Sequence, residues 1–255
     1  MLHSIWTAAT GMQAQQMRIN TIASNLANTN TTGYKKSSVD FQDLLYQTIA
    51  QPNRETAGIQ YGLGVKPVAI TKYYSQGNLQ ITNNPLDLAI DGQGFFQVRQ
   101  ADGSYGYTRD GSFKLSAEGY LITSNGLLLE PQIRIDPRAT DITIGQDGMV
   151  WVKLGSNAEQ NQVGQITLTR FANPAGLEAI GDNLVVQTGA SGEPQTAAPG
   201  VEGMGVVRQR ALEASNVELV QEMVMMIATQ KAYDTSSKAI NVSDKMMDTA
   251  NQLIR

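Results

Sequence analysis

At 255 residues with 41% apolar side chains, the chain can form one large domain or two smaller ones around a real core. Charged residues make up 16%, well below the usual quarter or so, the net charge is −4, and no block of Lys or Arg occurs. That balance argues against a nucleic-acid partner and against an anionic membrane surface. The absence of cysteine excludes disulfides, thiolate catalysis and cysteine–metal sites. The charge deficit is filled by 16 asparagines and 23 glutamines. Amides hydrogen-bond without the desolvation cost of a charge, so such a surface serves either as a neutral exterior or as one that is buried between subunits.

The first predicted element is a helix over about residues 4–28. Ile5, Met12, Ile19 and Leu26 recur every seven positions, the spacing of a coiled-coil seam. Ala8, Ala9, Ala14 and Ala23 lie near this stripe and allow close approach of a neighbour, while Gly11 weakens the centre by roughly 1 kcal/mol relative to Ala. The run Asn28-Thr29-Asn30-Thr31-Thr32-Gly33 ends the helix in turn formers. The opening residues lack the basic stretch of a secretory signal, and Gln13, Gln15, Gln16 and Arg18 break the apolar positions that follow. Export, if any, is therefore expected by a route without a cleaved signal peptide. No run approaches the roughly eighteen apolar residues of a membrane span, so no membrane insertion is expected.

From Val39 to about Arg210 the helical period fades. Asp91-Gly92, Asp102-Gly103, Asp110-Gly111, Asn125-Gly126 and Asp147-Gly148 predict tight hairpin turns. Between them lie short β-prone runs such as Phe95–Val98, Tyr120–Thr123, Ile142–Ile144 and Gln165–Thr169. Many short strands at close spacing predict an all-β barrel or sandwich. Residues 51–66 read as an extended loop or hairpin, and 187–205, rich in Gly, Pro, Ala and Ser, as a linker.

The last helix has a start signal in Ser215-Asn216-Val217-Glu218, a capping-box pattern. Its stripe is Leu219, Met226, Tyr233, Ile240, Met247 and Ile254, again one every seven, flanked by Val220, Met223, Val224 and Ile227. Met223, Met225, Met226, Met246 and Met247 add side chains that adapt to irregular interfaces. The two terminal stripes either pack against copies of the chain or bury each other.

Chemistry that an enzyme needs is missing from the pattern. The single histidine, His3, stands at the chain start and reads as a surface residue, so a Ser–His triad has no base. Gly62-Leu63-Gly64 lacks the third glycine and the strand–helix setting of a dinucleotide site. Asp91, Asp102, Asp110, Asp136, Asp141 and Asp147 could supply a carboxylate pair or calcium ligands, but most precede glycine in turns and read as structural. No catalytic residue, cofactor or metal is expected.

The motifs themselves are familiar. Thr7–Gln16 and Ile22–Lys36, with Asn25-Leu26-Ala27-Asn28 followed by Thr32-Gly33-Tyr34-Lys35, resemble the N-terminal signature of the bacterial flagellar rod and hook protein family. Phe41–Ile49, Ser75–Leu79, Ile90–Phe96 and Tyr107–Phe113 resemble its distal rod members in particular. Glu213–Val217, Gln230–Tyr233 and Ser237–Ala239 extend the likeness to the other end, so it covers nearly the whole chain. The resemblance implies an α+β fold, in which N- and C-terminal helices pair in a coiled-coil-like domain around a central all-β domain. Its expected boundaries are 1–33 and 211–255 for the helical part, 34–75 for a connecting segment with an extended hairpin or loop, and 76–210 for the outer β part.

The function so implied is that of a structural subunit of the distal rod, with a proximal rod or hook-like subunit as the alternative. Copies would polymerise helically into a drive shaft that carries motor torque to the hook and encloses the export channel. Ile5, Met12, Ile19 and Leu26 would pack on Leu219, Met226, Tyr233, Ile240 and Met247, within a subunit and between neighbours. The implied partners are further copies, other rod proteins, the hook protein, the P- and L-ring proteins and the type III export apparatus. The implied place is the periplasmic rod of the basal body.

Overall fold

The first apolar stripe forms the helix α1 (Leu2–Ala27), and the last forms α2 (Leu219–Leu253). The computed structural model describes residues 2–50, 58–155 and 159–253. The chain divides into two compact units, a helical one of residues 1–27, 37–73 and 217–255 and a β unit of residues 28–36 and 74–216. The fold is α+β, with helices at both ends of the sequence and strands between. No helix among the described residues is long and apolar enough to cross a membrane.

In the helical unit α1 and α2 pack against each other, and Gly11 faces Ser236 across the pair. Two antiparallel pairs accompany them. β1 (Ser37–Asp43) pairs with β4 (Val65–Lys72) through a bulge at Asp40/Phe41, and β2 (Tyr46–Ala50) pairs with β3 (Ile59–Gly62). The turn between β3 and β4 crosses α1 so closely that a Cβ on Gly64 would meet the Thr10 Oγ1 at 2.3 Å. Gly64 also has φ +126°, open to glycine and strained for other residues. The fully buried apolar residues here are few, chiefly Ala14, Ile22, Val39 and Val217.

The β unit is built on one long path of short antiparallel strands. Phe95–Arg99 is its hub, bonded to Tyr105–Thr108, Leu128–Glu130 and Leu168–Arg170. A three-stranded meander, Asp141–Ile144, Met149–Lys153 and Gln160–Gln165, adds a second layer of pairing. Leu88, Ile90, Phe96, Phe113, Ile166 and Leu168 anchor the core, with Phe96 and Phe113 edge to face at 5.1 Å. A satellite cluster joins Phe95, Tyr107 and Phe171.

Several expectations need correction. Residues 28–33 and 211–216 fall in the β unit, because Gly33 N–H bonds the Glu213 carbonyl and Ala211–Glu213 pairs with Leu79–Ile81. The stretch 37–73 belongs with the helices, since β1 and β4 pack on α1. α2 begins at Leu219, where the Glu218 carbonyl takes the first helical bond from Glu222, so Ser215 is not its cap. Asp102-Gly103, Asn125-Gly126 and Asp147-Gly148 do turn hairpins. Asp91-Gly92 does not, for Leu88–Asp91 pairs with Val206–Gln209 instead. Gly111 has an ordinary φ; it is needed because a Cβ there would lie 1.5 Å from the Leu88 carbonyl oxygen. Residues 187–205 are no simple linker: Gln195–Ala197 pairs with Leu168–Arg170, and Ser191 is sealed from solvent. Of the predicted segment 51–66, Ile59–Gly62 is β3, which pairs with β2 just before the segment, Val65 and Lys66 open β4, and 51–57 lie outside the described residues.

Candidate assembly surface

Ile5, Met12, Ile19 and Leu26 on α1 are half-buried, as are Met226, Tyr233, Ile240 and Met247 on α2. Leu219 is 48% exposed, because it opens the helix and has no preceding turn to shelter it. Ile254 lies outside the described residues. The described seam side chains are therefore sheltered only in part.

Next to the seam α2 carries a second apolar stripe at Val220, Met223, Val224 and Ile227, all at least half exposed. Their i, i+3, i+4, i+7 spacing puts them on one helix face. The helical unit also exposes Trp6 on α1, Leu45, Tyr46 and Ile49 at β2, Ile59 on β3, and Val68 and Ile70 on β4. Large exposed apolar side chains in such number are the raw material of an association site.

The motif residues hold the chain in place. Asn25, almost fully buried, grips Ser37 at both ends of its backbone: its Nδ2 donates to the Ser37 carbonyl at 2.8 Å, and its Oδ1 accepts from the Ser37 N–H at 2.9 Å. The same Nδ2 donates to the Glu222 carboxylate on α2 at 3.2 Å. Leu26 is half-buried and Ala27 is the exposed last residue of α1. In the β unit the Asn28 carbonyl accepts from the Thr31 N–H, and the Thr31 carbonyl from the Tyr34 N–H, forming successive turns. Gly33 has φ +69°, and a Cβ on it would sit 2.6 Å from the Asp110 nitrogen.

Sequence reasoning quoted Lys35, Arg109 and Glu213 within motifs without assigning them a role. The structure brings the three together, fully buried. Glu213 accepts from the Lys35 Nζ at 2.6 Å and from the Arg109 Nη1 at 3.1 Å. Arg109 also donates to the Gly92 carbonyl and lies over the Phe95 ring at 5.4 Å. Burial pulls the Lys35 amine below its usual pKa, with Glu213 opposing that shift and Arg109 adding to it. The native amine thus loses its proton before the unfolded one does. Its cost to folding shrinks as pH rises through the window below 10.5. The signal in the sequence was a charged residue in each of three motifs of a chain poor in charge.

Five of the six aspartates weighed as ligands accept hydrogen bonds from protein groups, Asp147 from the Met149 N–H. Asp91 pairs with Arg208, Asp136 with Arg138, Asp102 takes bonds from Ser104, and Asp110 takes them from Thr32 and Ser112. Among the described residues no group of three or more His, Cys, Asp or Glu could hold a metal ion.

Three family models match the chain. A flagella basal body rod protein model covers residues 5–35, a flagellar hook protein FlgE/F/G D1 domain covers 89–152, and a flagellar basal body rod FlgEFG protein C-terminal model covers 208–253. The flagellar basal-body rod protein FlgG of Borreliella burgdorferi is 46% identical over 264 residues, covering all of both chains. That of Caulobacter vibrioides is 43% identical over 260 residues, covering 99% of each. The rod protein FlgF of the same Caulobacter is 34% identical over 259 residues, covering 99% of this chain and 95% of that one.

Proposed function

The chain belongs to the family of FlgG-type flagellar basal-body rod proteins, and on that premise we propose that α1 and α2 are the elements through which copies stack into a helical shaft. It is a structural subunit of the flagellar distal rod. A proximal-rod reading is not favoured, since identity to the Caulobacter protein named FlgG exceeds identity to the one named FlgF, 43% against 34%.

The observation that carries the stacking is the unfinished burial of the helical unit. The seam residues Ile5, Met12, Ile19, Leu26, Met226, Tyr233, Ile240 and Met247 are only partly buried, and Leu219, Val220, Met223, Val224 and Ile227 are about half exposed or more. Completing the burial of one such side chain is worth up to about 1.5–3 kcal/mol, so several together offset the cost of ordering a joint. Neighbouring copies supply the missing cover. The β unit has a closed core of its own. In this reading the shaft transmits torque to the hook, encloses the export channel and turns within the P- and L-rings in the periplasm. Its subunits leave through the type III apparatus without a cleaved signal.

Electron microscopy of basal bodies tests the assignment. A strain lacking this gene is expected to build a rod that stops short of the outer membrane, with no hook. A complete rod missing its hook would move the protein to a hook role, and intact flagella would refute the reading. Ile19→Asp or Ile240→Asp is expected to abolish rod assembly while the β unit stays folded. Normal incorporation of either variant would sink the seam.

A further inference from the structure

The buried carboxylate of Glu213 has a reach that its ion pairs do not exhaust. The chain enters or leaves the β unit at residues 28, 36, 74 and 216. Three of these passages meet at Glu213. From the first passage, Lys35 donates its Nζ both to Glu213 Oε1 at 2.6 Å and to the Ser75 carbonyl at 2.7 Å. From the second, the Gly77 N–H donates to the same Oε1 at 2.9 Å. From the third, the Glu213 carbonyl accepts the Gly33 N–H at 2.8 Å.

Asn216 repeats the pattern one step nearer the boundary: its Oδ1 accepts from the Lys36 N–H at 2.7 Å, and its Nδ2 donates to the Ser75 Oγ at 2.9 Å. The passages lie so close that a Cβ on Gly77 would fall 2.0 Å from the Ala214 carbonyl oxygen. Through Arg109, whose Nη1 bonds Glu213 at 3.1 Å, the carboxylate is anchored in the β unit beside the strand Tyr105–Thr108.

We propose that Glu213 is the residue that positions the three passages against one another, so that load arriving along any of them is shared by all three and delivered to the β unit. The inference rests on the reading of the chain as a torque-bearing rod subunit for its use, though not for its geometry. A hydrophobic plug at this place would fill the space, but it would strip the Gly77 N–H of its carboxylate and leave the Ser75 carbonyl to the Asn216 amide alone. A single carboxylate with two cations satisfies them and makes the joint directional, since hydrogen bonds resist sliding where apolar contacts do not.

The test uses the full chain. In the native cluster two cations face one carboxylate, a net charge of +1. Glu213→Gln raises it to +2 and is expected to lower the melting temperature. Lys35→Met with Glu213→Gln restores +1 and is expected to recover most of that loss, which separates charge imbalance from the positioning role. In this double variant, amide hydrogen exchange at 33–36, 75–78 and 213–216 is expected to be at least tenfold faster, with the strands Phe95–Arg99 and Tyr105–Thr108 still protected. Unchanged exchange at the passages would overturn the proposal, whatever the fate of the rod reading, because the measurement needs no rod.

In cells the double variant is expected to build rods of normal length whose rotation fails first in viscous medium. Full rotation at every load would overturn the load-sharing role, and so would absence of the rod, since the proposal puts Glu213 after assembly. Failure of the rod reading itself would appear elsewhere, as intact flagella in the strain lacking the gene.

Discussion

In the β unit Leu88, Ile90, Phe96 and Val98 are sealed from solvent, whereas in the helical unit Val220 is 73% exposed and Val224 61%. Both units are built from ordinary apolar side chains at regular spacing, and they differ in what the spacing faces. Strands bonded on both edges, as Phe95–Arg99 is, close a core within one chain. Two long helices with two antiparallel strand pairs beside them bury one stripe each in part and leave the rest exposed. The lesson is that exposed apolar surface in this chain is a location and not a defect: it concentrates where copies are proposed to meet.

This contrast can be broken at its strongest point first. Phe96→Ala empties the β core beside Phe113 and is expected to cost about 3–5 kcal/mol in the isolated chain. The chain has two tryptophans, Trp6 on α1 and Trp151 in the strand Met149–Lys153, so Trp6→Phe leaves a reporter of the β unit alone. Denaturant titration followed by Trp151 fluorescence checks the figure, and a loss below about 1 kcal/mol would mean that the core is not closed as described.

Asn25→Ala is next. It strands the Ser37 N–H and carbonyl and is expected to destabilise the helical unit by roughly 2–3 kcal/mol, with the Trp151 transition unmoved. Helix content by circular dichroism during denaturation reads the first, and a shifted Trp151 midpoint would contradict the separation.

Val224→Ser should be the gentlest in solution, within about 0.5 kcal/mol, because its side chain is mostly in water. In a motility assay the same change is expected to reduce swimming clearly. Wild-type swimming would show that the second stripe on α2 is idle.

What was legible in the sequence follows the same division. The two helices were readable because a period of seven repeats locally and needs no distant partner to reveal itself. Leu219 broke the pattern because the helix starts there, a boundary fixed by the Glu218 carbonyl and not by periodicity. Four strands were readable from aromatic or β-branched runs, Phe95–Arg99, Leu121–Ile122, Asp141–Ile144 and Leu168–Arg170. Their order was not: Asp91-Gly92 looks like a hairpin turn, yet the strand before it pairs with residues 206–209, far along the chain. Gly111 was misread for the same reason, since the Leu88 carbonyl that excludes a side chain there comes from another strand. Glu213, Lys35 and Arg109 were each visible inside a motif, but Lys35 and Glu213 stand 178 positions apart, and no local rule joins them.

The grip of Asn25 on Ser37 also bears on how freely this sequence can drift. A seam position such as Ile19 asks for an apolar side chain of about the right volume, and Leu, Val or Met meets that demand. Position 25 asks for one acceptor and a two-hydrogen donor on a short stem, aimed at a backbone N–H, a backbone carbonyl and the Glu222 carboxylate together. Asp would set a second carboxylate against Glu222 and the Ser37 oxygen, and Gln would overshoot by a methylene. In a saturation library selected for swimming, the buried amide should therefore be the narrower gate, passing almost nothing but Asn while the greasy stripe beside it admits a crowd.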